Sequence, residues 1–425
     1  MNRLIVLSLA FVALGAWPAA ADDAATAATP GRRREQEEAS PRSRDDASTN
    51  PVRLGLFFLE SADGSHRLEL NGRLMIDGRF AGGDDDGFQV RRARVDLSGQ
   101  LADVITFRLG LELGRAGHAD LRDAYVNLVA SEGLQLRLGQ MLVPFSTEGR
   151  TSSNFMKLPE RPILVASLAD SRELGLMVHG RLLGGTLTYA AAIFNGNGQN
   201  RVSDDDDGKD VALRLEVAPQ EGLLLAASYR YTPPDRHGSR GPSDLRTLGN
   251  RLTRFLDYDT ANNRHRSRRE RGSLEARVRA GPLEVKGEVL FDRWHDVTSG
   301  KGERRDLLNW GWFADASYVL TGEASQEVIA PARPFHARRG LGPGAWELSA
   351  RYEEVHADAA TVTHGFAQGA RTVRSATLGL TWIPVKGVRA LLSYTYSALD
   401  GLVLDPDGDR RAHDHAVVMR LGLWF

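Results

Sequence analysis

Between Val143 and Ser171 the chain gathers Ser146, Thr147, Arg150, Thr151, Ser152, Ser153, Asn154, Lys157 and Arg161 in one irregular stretch, "VPFSTEGRTSSNFMKLPERP". Hydroxyl, amide, ammonium and guanidinium groups are all donors, and at this density they suit an oxyanion. Lys and Arg bind phosphate or carboxylate oxygens through charge-assisted hydrogen bonds, Arg often with two at once. Further arginines recur on one side of alternating segments: Arg73, Arg92, Arg94, Arg108 and Arg137. Together with Arg150, Ser152, Ser153, Lys157 and Arg161 they form the candidate set. Its chemistry is binding without catalysis.

Signs of bond-making chemistry are weak. The sequence has no cysteine, no GxSxG and no glycine-rich phosphate loop leading into a helix. No catalytic residue or cofactor is assigned. A hydrolase site assembled from scattered Ser and His stays open, because such sites are spatial. "SDDDDGKD" (203–210) and "DPDGDRRAHDH" (405–415) invite a metal reading, but neither supplies the glutamate at position twelve that a calcium loop needs. His413 and His415 share one side of a segment with no second ligand pair evident. No metal site is therefore expected, beyond a weak case for divalent bridging at an outer rim.

The elements that must hold the arginines repeat with period two. "LELNGRLMIDGRF" sets Leu68, Leu70, Leu74, Ile76 and Phe80 against Glu69, Asn71, Arg73, Asp77 and Arg79. Such alternation is the mark of a strand with one apolar and one polar face. Sixteen segments of this kind begin near Leu68, Phe88, Val104, Leu121, Leu134, Arg172, Gly185, Asp210, Leu223, Gly272, Leu283, Leu308, Ala345, Thr372, Lys386 and His413. Short connections, such as Ser131–Gly133 and Gly281–Pro282, alternate with long ones, such as Val143–Ser171 and Thr232–Arg271. Short turns on one rim and long loops on the other are the pattern of an outer-membrane barrel.

A soluble sandwich would also alternate. The segments are nearer the nine to eleven residues that a tilted membrane strand needs. Trp310, Trp312, Trp346, Trp382, Tyr394 and Tyr396 sit towards segment ends on the apolar side, as interfacial girdles do. The expectation is an all-β chain, a 16-stranded antiparallel transmembrane β-barrel. In hydrocarbon such a barrel pairs every backbone group without an edge, and sixteen strands leave room for water inside.

The address agrees. "MNRLIVLSLAFVALGAWPAAADD" has a basic start, an apolar core and small residues at 19–21, so residues 1–21 read as a cleaved signal peptide. Residues 22–50 carry almost no large apolar side chain and read as a disordered arm. The barrel then spans 51–425, and the expected location is the bacterial outer membrane, in contact with its lipid and lipopolysaccharide.

Several stretches resemble the phosphate-selective porin O and P family. "QVRRARVDLSGQLADVITFRLGLELG", "LRDAYVNL" and "LRLGQMLVPFSTEGRTSSNFMKLPERP" carry the likeness early in the chain. "WGWFADASYVLTGE", "GAWELSARYEEV" and "LGLTWIPVKGVRALLSYTYS" follow in the same order, so it covers roughly 52–425. The resemblance implies a homotrimeric channel for anions such as inorganic phosphate, with the loop after the fifth strand folded inward as a constriction. It also implies that the assembly machinery reads the closing strand, "VVMRLGLWF". No nucleic-acid partner is implied. Arg91 and Arg92 match the family's arginine ladder by position, although alternation turns Arg92 and Arg94 inward and Arg91 outward.

Charge leaves the selectivity open. Alternation puts about as many acids as bases on the polar face, which would suit a general or carboxylate-preferring porin. Only five of the 54 basic residues are lysines, and none cluster as the family's phosphate-specific members do. Thr232–Arg271 holds ten arginines against five acids and could form a positive vestibule, or an adhesive outer surface. Thr321–Gly344 is long where the rim should be short; it either folds into the lumen, with Arg333, Arg338 and Arg339 near the exit, or hides a further pair of strands.

Overall fold

The computed structural model describes residues 52–54, 57–81, 86–114, 119–169, 172–201, 208–234, 239–250, 252–336, 338, 342–404 and 410–425. The expected signal peptide and arm lie outside them, as do most of the two acidic runs.

Sixteen antiparallel strands close into a barrel. They are β1 (Arg67–Phe80), β2 (Gly87–Leu101), β3 (Ile105–Glu112), β4 (Asp120–Ser131), β5 (Leu134–Leu142), β6 (Arg172–Leu182), β7 (Leu187–Phe194) and β8 (Asp210–Gln220). Then come β9 (Leu223–Thr232), β10 (Arg269–Ala280), β11 (Leu283–Thr298), β12 (Arg304–Val319), β13 (Ala345–Ala357), β14 (Thr372–Ile383), β15 (Val388–Leu404) and β16 (Arg410–Trp424). Every strand pairs with its neighbour in sequence, and β16 closes on β1 from Val417↔Phe80 to Trp424↔Arg73. Each expected segment is one of these strands. Two further short strands, Val52–Leu54 and Phe58–Ser61, extend the sheet beside β1.

Burial is inverted relative to a water-soluble protein. Leu138 and Leu274 are 62% and 67% exposed, whereas Arg230, Arg271 and Arg420 are fully buried. An apolar exterior with charges inside is stable only where hydrocarbon surrounds the wall. Tight turns join even strands to odd ones: Gly222 at φ 79° and Gly281 at φ 54° take left-handed backbone that other residues resist. A side chain at Gly222 would also strike the Arg279 carbonyl at 2.3 Å.

Thr321–Gly344 hides no strand pair, since β12 and β13 pair directly from Asn309↔Ala357 to Val319↔Glu347. Its first part reaches the lumen, where the Lys157 ammonium lies 3.4 Å from both Ser325 Oγ and the Gln326 carbonyl. Its later part, with Arg333, turns to the rim, where Phe335 N–H donates to the Pro384 carbonyl. Arg338 is exposed, and Arg339 lies outside the described residues.

The long loops on the opposite rim build an apolar core inside the barrel. Leu245–Arg246, Arg254–Tyr258 and Ala367–Gly369 form a small separate sheet. Its Phe255 and Leu256 pack with Phe145, Ile163, Leu164 and Leu168 of the 143–171 loop and with Leu290, Trp294, Phe313 and Val355 of the wall. Fully burying each such side chain contributes about 1.5–3 kcal/mol. Much of the 232–271 connection is thus interior, while Arg264, Arg266 and Arg268 remain exposed.

Candidate functional site

The 143–171 segment crosses the lumen and is fastened on several sides. It opens with the helical turn α1 (Thr147–Arg150), capped by Ser146, whose Oγ accepts from Gly149 N–H. Ser146 Oγ also donates to Glu288 on β11, 2.7 Å away, and Thr147 N–H donates to Glu275 on β10. Further on, Lys157 pairs with Glu347 on β13 at 2.6 Å. Arg389 on β15 donates to the carbonyls of Ser153 and Met156, and Arg420 on β16 to that of Pro159. Arg351 on β13 donates to the Glu160 carbonyl, and Glu353 accepts from Ile163 N–H at the start of the second short helix, α2 (Ile163–Leu168). The segment therefore leans on the β8–β16 side, and the open space faces β1–β6.

That space is a cavity of about 480 Å³ between the loop and the wall. Its lining includes nine arginines: Arg73, Arg91, Arg92, Arg94, Arg108, Arg122, Arg150, Arg161 and Arg172. Four carboxylates share it: Asp96, Glu112, Asp123 and Glu160. The face that is balanced as a whole is strongly positive here, with a formal surplus of 9 − 4 = 5.

Each carboxylate holds one arginine of the lining closely, and Glu160 also holds Arg420 at 3.1 Å. Arg94 pairs with Glu112 at 2.5 Å, Arg108 with Asp96 at 2.9 Å, Arg172 with Asp123 at 2.9 Å and Arg91 with Glu160 at 2.7 Å. Arg150 pairs outside the lining, with Glu216 at 2.6 Å. The others have weaker partners. Arg73 reaches Ser152 Oγ and Ser153 Oγ at 3.1 Å, and Asp96 only at 3.5 Å. Arg161 donates to the carbonyls of Glu148 and Thr151. Arg122 touches Gln199 at 3.3 Å, and Arg92 lies 3.6 Å from the Met75 sulfur. The Nε groups of Arg73 and Arg122 are buried with no partner among the described residues, so each is a donor to spare for a ligand.

Loop carboxyls respond to the same charges. Burial pushes the Glu160 carboxyl up, but Arg91, Arg420 and Arg92 outweigh it and hold the group well below the usual range. Glu148 behaves alike: burial opposes ionisation, while Lys286, Arg351 and Arg161 lower its pKa. Both stay ionised and act as anchors.

Eight of the ten sequence candidates line this cavity: Arg73, Arg92, Arg94, Arg108, Arg150, Ser152, Ser153 and Arg161. Two lie elsewhere. Lys157 points away and is buried against Glu347. Arg137 stacks over the Tyr125 ring, 4.4 Å from its centroid, outside the lining. Arg91 is a correction. Alternation turned it outward, yet it faces Glu160 because β2 bulges there: Met75 pairs with Arg92 and the next partner of β1, Ile76, pairs with Val90. The extra residue resets the side-chain phase. A second bulge, where β4 advances from Ala124 to Leu121 while β3 advances only from Leu109 to Leu111, lets both Arg122 and Asp123 reach the cavity. Arg122 and Arg172 were missed by sequence reasoning. Arg172 could have been found, since it opens a strand directly after the loop.

The description "Phosphate-selective porin O and P" matches residues 69–425. The chain belongs to this family. Porin O of Pseudomonas aeruginosa is 25% identical over 396 residues, covering 84% of this chain and 89% of that protein. Among solved structures, the outer-membrane channel DcaP of Acinetobacter baumannii superposes with a TM-score of 0.54 at 11% identity, over 86% of this chain and 99% of its own. OmpF of Salmonella typhi, in complex with daunomycin, gives 0.53 at 13% identity, over 86% and 100%. Family and fold together make this porin an outer-membrane channel.

Proposed function

We propose that this porin is a passive diffusion channel for small anions, inorganic phosphate or polyphosphate among them. The observation that carries the reading is the surplus of arginine over carboxylate in the cavity beside the loop. Rings of Arg select anions in pores, and a guanidinium replaces the water an oxyanion loses on entry. Arg73, Arg92, Arg122 and Arg161, which lack a close carboxylate partner, are the groups free to do this. Ser152 and Ser153 add neutral donors beside Arg73. The loop sets the size limit. Arg94, Arg108, Arg172 and Arg91 shape the field while staying paired, and Lys157 and Arg137 are secondary.

Homotrimeric assembly belongs to the same proposal. The family likeness supports it, as does the likeness to OmpT of Vibrio cholerae in its trimer form, a fold match at 10% identity with a TM-score of 0.54. Surrounding lipid and lipopolysaccharide, and recognition of the closing strand β16 by the assembly machinery, are part of the same proposal, and the outer-membrane barrel fold supports them.

The test is a single-channel reversal potential in a salt gradient, followed by phosphate competition against chloride conductance. Anion preference with block by low phosphate supports the reading; cation preference refutes it. Equal behaviour of phosphate and chloride would mark a general or carboxylate-preferring porin, since guanidinium groups donate to carboxylates as they do to phosphates.

A further inference from the structure

On the short-turn rim, which faces the periplasm in barrels of this kind, one feature lies outside the pore. Residues 328–346 contain Arg333, His336 and Arg338 and no acidic residue. All three are exposed, as is Lys386 in the β14–β15 turn, whose Pro384 carbonyl accepts from Phe335 N–H of this segment. None has an ion-pair or side-chain hydrogen-bond partner among the described residues. Most lumen arginines, by contrast, are held by carboxylates or carbonyls.

The segment is fixed against the outer wall. Phe335 N–H donates to the Pro384 carbonyl at 2.8 Å. Its ring, 39% exposed, meets Trp382 edge-on at 5.3 Å, and Trp382 stacks on Trp346 at 6.0 Å. The same tryptophan pair opens an apolar groove of about 560 Å³ on the lipid-facing side. The groove follows one row of cross-strand partners, Trp346↔Trp382↔Ala390↔Leu421↔Ile76. The small Ala390 in the middle leaves the trough.

We propose that this ledge and groove bind an anionic phospholipid of the periplasmic leaflet, with its phosphodiester on Arg333, Arg338 and Lys386 and an acyl chain along Ala390. Charge complementarity selects the occupant. Unpaired cations on a segment anchored at Trp382, with an apolar trough that begins at the same tryptophan, match a lipid that is negative at one end and apolar at the other. A neutral lipid would fill the groove and leave the cations unanswered.

Native mass spectrometry of the purified channel, loaded in turn with phosphatidylglycerol and phosphatidylcholine in mixed micelles, tests this. Wild type should retain phosphatidylglycerol preferentially. The triple variant R333Q/R338Q/K386Q should lose that preference, by roughly fivefold for each charge removed, with pore conductance unchanged. Ala390→Phe, which fills the trough, should lower retention of both lipids. Equal retention of the two lipids by wild type, or an unaltered preference in the triple variant, overturns the proposal. Displacement of phosphatidylglycerol by inorganic phosphate would make the ledge a free-anion site and overturn it too. So would efficient disulfide cross-linking between copies through Ala390→Cys, which would give the face to a second copy of the chain.

Discussion

Arg122→Gln is the most direct probe of how the passage selects. The side chain reaches the cavity through the β4 bulge, and its hydrogen bond to Gln199 spans 3.3 Å. Removing it orphans no carboxylate, so the barrel should fold normally. Two unit charges 4 Å apart interact by about 4 kcal/mol at an effective dielectric of 20 and by about 1 kcal/mol in bulk water. The cavity lies in the water-filled lumen of a sixteen-stranded barrel, so the wet limit, about 1 kcal/mol, sets the scale. That corresponds to roughly a fivefold fall in anion occupancy. The reversal potential should shift towards zero, and the phosphate concentration that blocks chloride should rise by about the same factor. Arg92→Gln should act alike, whereas Arg374→Gln, on the outer wall and 3.3 Å from Glu354, should do neither. If Arg122→Gln left both readings at wild-type values, or if Arg374→Gln moved them as far, the surplus in the cavity would not set selectivity.

Glu160→Gln should act in the opposite direction: it removes one of the four lining carboxylates, frees Arg91 and strengthens anion preference by a similar factor in the same assay. Lys157→Met leaves Glu347 buried without its cation, so the thermal unfolding midpoint should fall, by an equivalent of about 3–5 kcal/mol, while selectivity stays put. For pH, Glu148 and Glu160 both titrate lower in the folded protein than their ordinary value of 4.5. The stabilisation they contribute is fully present above that value and is lost as pH falls through the depressed folded values. Glu148 and Glu160 should therefore contribute no change in the loop's protease resistance above about pH 5 and withdraw their share only in stronger acid; a loss of resistance on acidification near neutrality would contradict their anchoring role.

The sequence discloses the wall more fully than the pore, and the reason is physical. Alternation is imposed by lipid on one side and water on the other, over every strand, so sixteen segments and their order can be read without any tertiary knowledge. A bulge breaks the phase by one residue and leaves no composition signal, which is why Arg91 was turned outward and Arg122 missed. Both bulges lie among the first four strands, on the side the loop leaves open, and each adds an arginine to the cavity. The near-balance of charge over the whole lumen face hid the surplus for a related reason. Acids such as Glu275, Glu288, Glu347 and Glu353 are occupied in fastening the 143–171 segment, so they lie on the far side of the loop from the space an ion would use. On the proposed reading, selectivity depends on where the loop leans: it covers the wall that carries Glu275, Glu288, Glu347 and Glu353 and leaves bare the arginine-lined wall of β1–β6. A tally along the chain cannot separate those two walls, because the partition is made by contacts between residues more than a hundred positions apart, such as Lys157 with Glu347.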